Sequence, residues 1–237
     1  MQSLVYELVS RTLEIRPSIA SMYDYYESLT PSTVTPRRFY AEVCWVVYSS
    51  GFRNSIVSRY WPRIRRAFYG FDVSRVASFE SVVESAEQVC ENSGFRSPIK
   101  ATWCIENARR IVQIDAEWET HGGIRGYFQE LSSRPLSELV QTAPSIIDEL
   151  NLKGIGTTTV FHLLKNMGLD VFKPDIHVRR LVAQMKLTLD EDAPIDKICE
   201  AMTLLSSATG YSVSQLDTFL FAYGIVVGDS IPSPAQA

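Results

Sequence analysis

The chain has 237 residues, 46% hydrophobic and 21% charged, which allows one large domain or two small lobes around a real core. No apolar run is long enough to span a bilayer. The N-terminal stretch MQSLVYELVSRTLEIRPS carries acids early and has no small-residue cleavage site, so it does not read as a signal peptide. A net charge of -4 argues against a non-specific DNA coat.

The charge is unevenly distributed. From Val43 to Phe71 there is no acid, yet Arg53, Arg59, Arg63, Arg65 and Arg66 all occur. Between Asn151 and Leu181, Lys153, Lys165, Lys173, Arg179 and Arg180 face only Asp170 and Asp175, and the acids gather in residues 1–30 and 190–200. Such a polarised chain can bind a polyanion despite its total charge. Solvated helix faces explain the same pattern and, on charge alone, are the simpler reading. Cys44, Cys90, Cys104 and Cys199 are scattered without metal-ligand spacing, which suits a cytoplasmic protein with free, mostly buried thiols.

Taken in chain order, almost every element is helical. Apolar spacing predicts helices over 3–14 and 18–29. Thr35-Pro36 is an N-cap followed by proline at the first helical position; its helix runs through Val47 to Tyr48 and ends at Ser49-Ser50-Gly51. A helix over 55–69 follows, with Pro62 expected to kink or break it. Ser97-Pro98 repeats the cap signal and opens a long helix from Ile99 to Trp118. Gly122-Gly123 breaks the chain. Short helices over 136–141 and 145–150 lead into Leu152-Lys153-Gly154-Ile155-Gly156, and helices over 157–167, 177–186, 194–208 and 212–224 come after. Ser212 and Gln215 form a capping-box pattern. Residues 228–237, rich in proline and serine, are expected to be disordered. No strand is predicted, so the class is all-α.

Two segments carry chemistry. In Gly154-Ile155-Gly156 two glycines flank one apolar residue, which permits a tight turn and leaves bare amides at the start of the next helix, where a phosphate can sit. Leu152 and Ile155 would pin the flanking helices, and Lys153 could add a charge contact. An ordinary helix–turn–helix connection fits the same residues. Downstream comes Lys173-Pro174-Asp175-Ile176-His177-Val178-Arg179. Pro174 holds Lys173 extended, so Asp175 falls at a helix start. As an N-cap it would stabilise that helix by about 1 kcal/mol, and the same position holds a carboxylate rigidly and favours its charge.

Together these segments resemble the signature of the HhH-GPD superfamily of DNA glycosylases. Two upstream stretches are similar to the 3-methyladenine DNA glycosylase I branch. One is Phe68-Tyr69-Gly70-Phe71-Asp72-Val73-Ser74-Arg75-Val76-Ala77. The other is Gly94-Phe95-Arg96-Ser97-Pro98-Ile99-Lys100-Ala101 with Asn107-Ala108-Arg109. The similarity spans roughly residues 39–185. It implies a two-lobed helical fold with the helix-hairpin-helix between the lobes, a domain over 31–227 after an added helical pair at 1–30, and a monomer acting on double-stranded DNA that contains a modified base, with no membrane role.

The resemblance also assigns roles. Asp175 is the catalytic carboxylate. Lys153, Gly154, Ile155, Gly156, Thr157, Thr158, Lys173, His177 and Arg179 contact the DNA backbone. Phe52 or Arg53 is the wedge that fills the space left by a flipped nucleotide, although Phe52 also reads as a core residue. Trp45, Tyr48, Trp103 and Glu42 are base-pocket candidates, although aromatic residues on helices are commonly core. Bifunctional relatives carry a lysine where this chain has Thr158, so excision without lyase activity is expected. Two features of the glycosylase I branch are missing: the terminal Cys and His zinc ligands, and the base-recognition glutamate, since Trp45-Val46-Val47-Tyr48 holds no acid. No metal is expected, and no cofactor beyond a monovalent cation at the hairpin. An alkylated purine or a bulky phage-type base in a defence role are the candidate targets. A catalytically silent helix-hairpin-helix DNA-binding module is the alternative.

Overall fold

The computed structural model describes residues 2–226; the tail expected at 228–237 lies outside them. The described residues form helices and turns with no strand. In chain order the helices are α1 (Gln2–Ile15), α2 (Ile19–Ser28), α3 (Pro36–Ser49), α4 (Asn54–Ala67), α5 (Val73–Ala77), α6 (Val82–Ser93) and α7 (Pro98–Glu117). Then follow α8 (Gly123–Ser132), α9 (Leu136–Leu150), α10 (Thr157–Asn166), α11 (Ile176–Gln184), α12 (Ile195–Thr209) and α13 (Val213–Val226). No helix among the described residues is long and apolar enough to cross a membrane.

The helix starts follow local chemistry. Thr35 caps α3 by accepting from the Arg38 amide at 3.2 Å. At α13 the capping box closes in both directions: the Gln215 amide donates to Ser212 Oγ and the Ser212 amide to Gln215 Oε1. Ser97, by contrast, makes no side-chain cap, and α7 starts directly on Pro98. Pro62 sits inside an unbroken α4, and Pro144 inside α9, which is one helix where two short ones are predicted. Helix α9 buries Leu139, Val140, Ala143, Ile146 and Leu150; an apolar stripe that long outweighs one lost backbone bond. Sequence periodicity misses α5, α6 and α8. The first two carried a readable signal, since Asp72 and Ser81 accept from the amides three residues on.

The chain divides into two compact units. One comprises Pro31–Leu131 and Ala143–Leu163. In it α3, α5 and α6 all pack on the long α7, around Phe39, Tyr40, Val43, Tyr48, Phe68, Ile105 and Phe128, each essentially inaccessible. The other comprises Met1–Thr30, Ser132–Thr142 and Leu164–Ala237. In it α1, α2, α11 and α12 surround α13. The pair at 1–30, read from sequence as an addition, therefore shares a core with the C-terminal helices through Val5, Leu8, Ile19, Leu216, Leu220 and Tyr223. All four cysteines are free and buried.

Candidate active site

The hairpin belongs to the first unit, and α7 builds it. Asn107 bridges both main-chain groups of Lys153: its Oδ1 accepts from the Lys153 amide at 2.7 Å and its Nδ2 donates to the Lys153 carbonyl at 3.0 Å. One turn on, Arg110 holds the end of α9, its Nε and Nη2 donating to the carbonyls of Leu150 and Glu149 at 3.2 and 2.8 Å. Gly154 has φ +78°, and a β-carbon there would lie 2.8 Å from Trp103 Cε3 and 3.4 Å from Val47 Cγ2. Glycine is needed both for the left-handed backbone and for this close approach. Leu152 and Ile155 are buried beneath the turn.

Beyond the turn, Lys153, Thr157 and Thr158 are exposed at the entrance to α10. The Gly156 amide, expected to meet phosphate, donates instead to Thr159 Oγ1 at 2.6 Å. The first helical amides of α10, which have no intrahelical acceptor, are the donors that remain for an anion. A monovalent cation would draw on hairpin carbonyls. Those of Leu152, Lys153 and Gly156 already accept from the Ile155 amide, Asn107 Nδ2 and the Val160 amide.

The wedge candidates also lie in this unit. Gly51 (φ +75°) turns the chain out of α3, and Phe52 and Arg53 are exposed, Phe52 at 43%. The Phe52 ring leans edge-on against Phe95 at 5.1 Å. Lys100, from the second upstream motif, holds the loop: its buried ammonium donates to the Val47 carbonyl and, at 2.8 Å, to the Ser50 carbonyl. Burial pulls its proton affinity down. All five arginines of 53–66 are exposed, while Val57 and Ile64 of α4 turn inward.

The base-pocket candidates separate. Tyr48 is wholly buried between Phe68 and Phe95, and burial pushes its phenol well up. It is a core residue and offers no face for stacking, because α3 turns it towards α6 and α7. Trp103 lies against the Gly154 turn, so it supports the hairpin. Trp45 meets Trp61 edge-on at 5.0 Å and is partly exposed, as is Glu42.

Asp175 belongs to the second unit. It is the N-cap of α11: Oδ1 accepts from the amides of His177 and Val178 at 3.0 and 3.1 Å. Its side chain is 11% exposed, and Oδ2 faces the Lys173 ammonium at 3.8 Å. Burial raises the carboxyl above its ordinary value and the Asp217 carboxylate adds to the rise, while Lys173, the Val178 amide and His177 oppose it. Arg179, expected on DNA, is engaged inside the protein. Its Nε donates to the Pro174 carbonyl at 3.0 Å, and its Nη1 to the carbonyls of Ala193 and Glu191. It ties the 191–193 loop to the residue before Asp175. His177 turns its ring onto α13, against Gly224 and edge-on to Phe221. Lys173 likewise directs its ammonium towards Asp175.

These features decide the architecture. The fold is the helix-hairpin-helix glycosylase fold. The chain resembles the 8-oxoguanine DNA glycosylase of Thermotoga maritima, with a TM-score of 0.62 and 20% identity over 98% of this chain and all of that one. It also resembles the 8-oxoguanine glycosylase/lyase of Methanocaldococcus jannaschii, solved with a 15mer DNA containing 8-oxoguanine, at a TM-score of 0.61 and 16% identity over 98% and 100% of the two chains. No protein-family model matches the chain, and no curated protein matches it significantly in sequence. The solved neighbours thus carry the 8-oxoguanine name, and none of them belongs by its name to the 3-methyladenine branch expected from the sequence motifs.

Proposed function

We propose that the chain is a DNA glycosylase that extrudes a modified nucleotide and hydrolyses its N-glycosidic bond, leaving an abasic site. The observation that carries this reading is the Asp175 carboxylate, fixed at the start of α11 in a fold similar along its length to those of an 8-oxoguanine DNA glycosylase and an 8-oxoguanine glycosylase/lyase. As the glycosidic bond breaks, positive charge grows on the sugar. An ionised Asp175 opposes it and orients the attacking water through Oδ2, because Oδ1 is committed to two helix amides. Those bonds hold the carboxylate in place before substrate arrives, so little reorganisation is needed at the reacting centre.

The hairpin supplies the grip. A phosphate bound at the first turn of α10, with Lys153 beside it, fixes the strand by its backbone rather than by its sequence. Phe52, exposed on a loop held by Lys100, is the wedge, and Arg53 with the α4 arginines follows the flanking phosphates. The hydroxyl of Thr158 cannot form an imine with the sugar, so strand breaks should require alkali. The neighbours act on 8-oxoguanine, which makes that base the first to test, ahead of alkylated purines and bulky phage-type bases.

The test incubates wild type and Asp175→Asn with duplexes carrying 8-oxoguanine, alkylated, deaminated and glucosylated bases, followed by alkali. Wild type should produce alkali-labile sites on one class and the variant none. Intact DNA binding with no excision from any duplex would instead support a silent binding module.

A further inference from the structure

A chain of charges runs behind Asp175. Lys165, at the end of α10, is buried. Its ammonium meets Asp217 Oδ2 at 2.5 Å and Thr218 Oγ1 at 2.7 Å, and lies 4.3 Å from the centre of the Tyr26 ring. The other Asp217 oxygen accepts from the Lys173 main-chain amide at 2.9 Å. The Lys173 side chain then leaves that anchored backbone with its ammonium 5.7 Å from the Phe221 ring centre and 3.8 Å from Asp175 Oδ2. We infer that Lys173 is a positioning residue for Asp175, set in place by the Lys165–Asp217 pair. This rests on reading Asp175 as the catalytic carboxylate.

Each link has a physical reason. A carboxylate as enclosed as Asp175 tends to keep its proton, and a proton would abolish its use against a sugar cation. Two groups deepen the problem or relieve it. Asp217 on α13 is a like charge; Lys173, on the segment itself, is an opposite one. Lys165 on α10 neutralises Asp217, so Asp217 can hold the Lys173 amide without adding a bare negative charge to the site. His177 on α11 is a further titratable neighbour and acts in the same sense as Lys173.

The separation of 3.8 Å matters. It lies beyond hydrogen-bond range, so the ammonium supplies a favourable field without occupying Oδ2. A direct hydrogen bond there would compete with water or the sugar. The Lys173 side chain is 27% exposed, and displacing solvent by DNA would strengthen its field. The Asp175 amide donates to the Lys173 carbonyl at 2.7 Å across Pro174, a tight turn, so the reach from Lys173 to Asp175 does not depend on a flexible loop.

The test follows the Asp175 carboxyl carbon by NMR through a pH titration of the whole chain, in wild type, Lys173→Met and Lys173→Arg. Losing the charge should raise the Asp175 midpoint by about one unit, a tenfold change in its proton affinity, and arginine should restore it. In a Lys165→Met/Asp217→Leu background, which has no acceptor for the Lys173 amide, Lys173→Met should move the midpoint less, because its anchor is gone. In single-turnover excision from an 8-oxoguanine duplex, the acid limb of the Lys173→Met profile should move up by the same unit.

An unmoved midpoint in Lys173→Met overturns the inference. So does arginine behaving like methionine, or a borohydride-trapped sugar adduct on Lys173, which would make it a nucleophile. The titration needs no substrate. A wild type that excises nothing yet shows the Lys173 shift would refute the glycosylase reading while supporting the positioning.

Discussion

At the hairpin, side chains from α7 end on main-chain atoms. Asn107 takes both groups of Lys153, Arg110 takes two carbonyls at the end of α9, and Trp103 fills the space a side chain at Gly154 would need. At the start of α11, charges do the equivalent work. Asp175 caps its helix beside Lys173, and Asp217 joins Lys173 to the buried Lys165. The first region needs a shape, an exposed row of amides, and amides do not titrate. The second needs a charge in a place that resists charge, and holds it with compensating groups. The hairpin should therefore be indifferent to pH over the range where the Asp175 segment is not.

Four changes would break or sharpen that contrast. The largest effect is expected from Lys165→Met, which leaves Asp217 buried and unpaired. Urea unfolding should register a loss of about 3–5 kcal/mol, most of it recovered by adding Asp217→Leu. Next, Gly154→Ala forces a side chain into left-handed backbone against Trp103. A loss of about 2 kcal/mol is expected, together with weaker DNA binding at every pH. Asn107→Ala exposes the Lys153 amide to an unsatisfied setting and should lower stability by about 1–2 kcal/mol, again without pH dependence.

The smallest effect has the opposite sign. The Asp175 carboxyl is raised in the folded chain, so its contribution to stability is fully present at acid pH and is lost as pH rises through the folded value. Asp175→Asn keeps a good N-cap and removes the enclosed charge. It should unfold at slightly higher temperature than wild type near pH 7, with the advantage vanishing at acid pH. Equal stability at both pH values would mean that enclosure does not burden Asp175.

Local features of the sequence were legible where their partners are near in the chain. Thr35-Pro36, Ser212 with Gln215, and Pro174-Asp175 each act within three or so residues, and each stands in the structure as its spacing predicts. The glycines of the hairpin were readable as a turn. Partners distant in the chain were not. Nothing beside Asp217 in sequence marks it as the anchor of Lys173, because the two meet only when α13 packs beside the segment. Arg179, in the first turn of α11, could as well reach phosphate as carbonyl until the 191–193 loop was in place. Tyr48 and Trp103 had the right chemistry for a base pocket; burial decided otherwise for the first, and the Gly154 turn claimed the second. Pro62 did not break α4, and α9 runs through Pro144 where two short helices are predicted, because tertiary packing outweighs a single missing amide.

The most direct test of the central claim is base excision from an 8-oxoguanine duplex under single-turnover conditions, comparing wild type with Asp175→Asn and resolving products with and without alkali. The account predicts wild-type cleavage that requires alkali and a variant that binds the duplex but excises nothing. Excision by Asp175→Asn at the wild-type rate would contradict it.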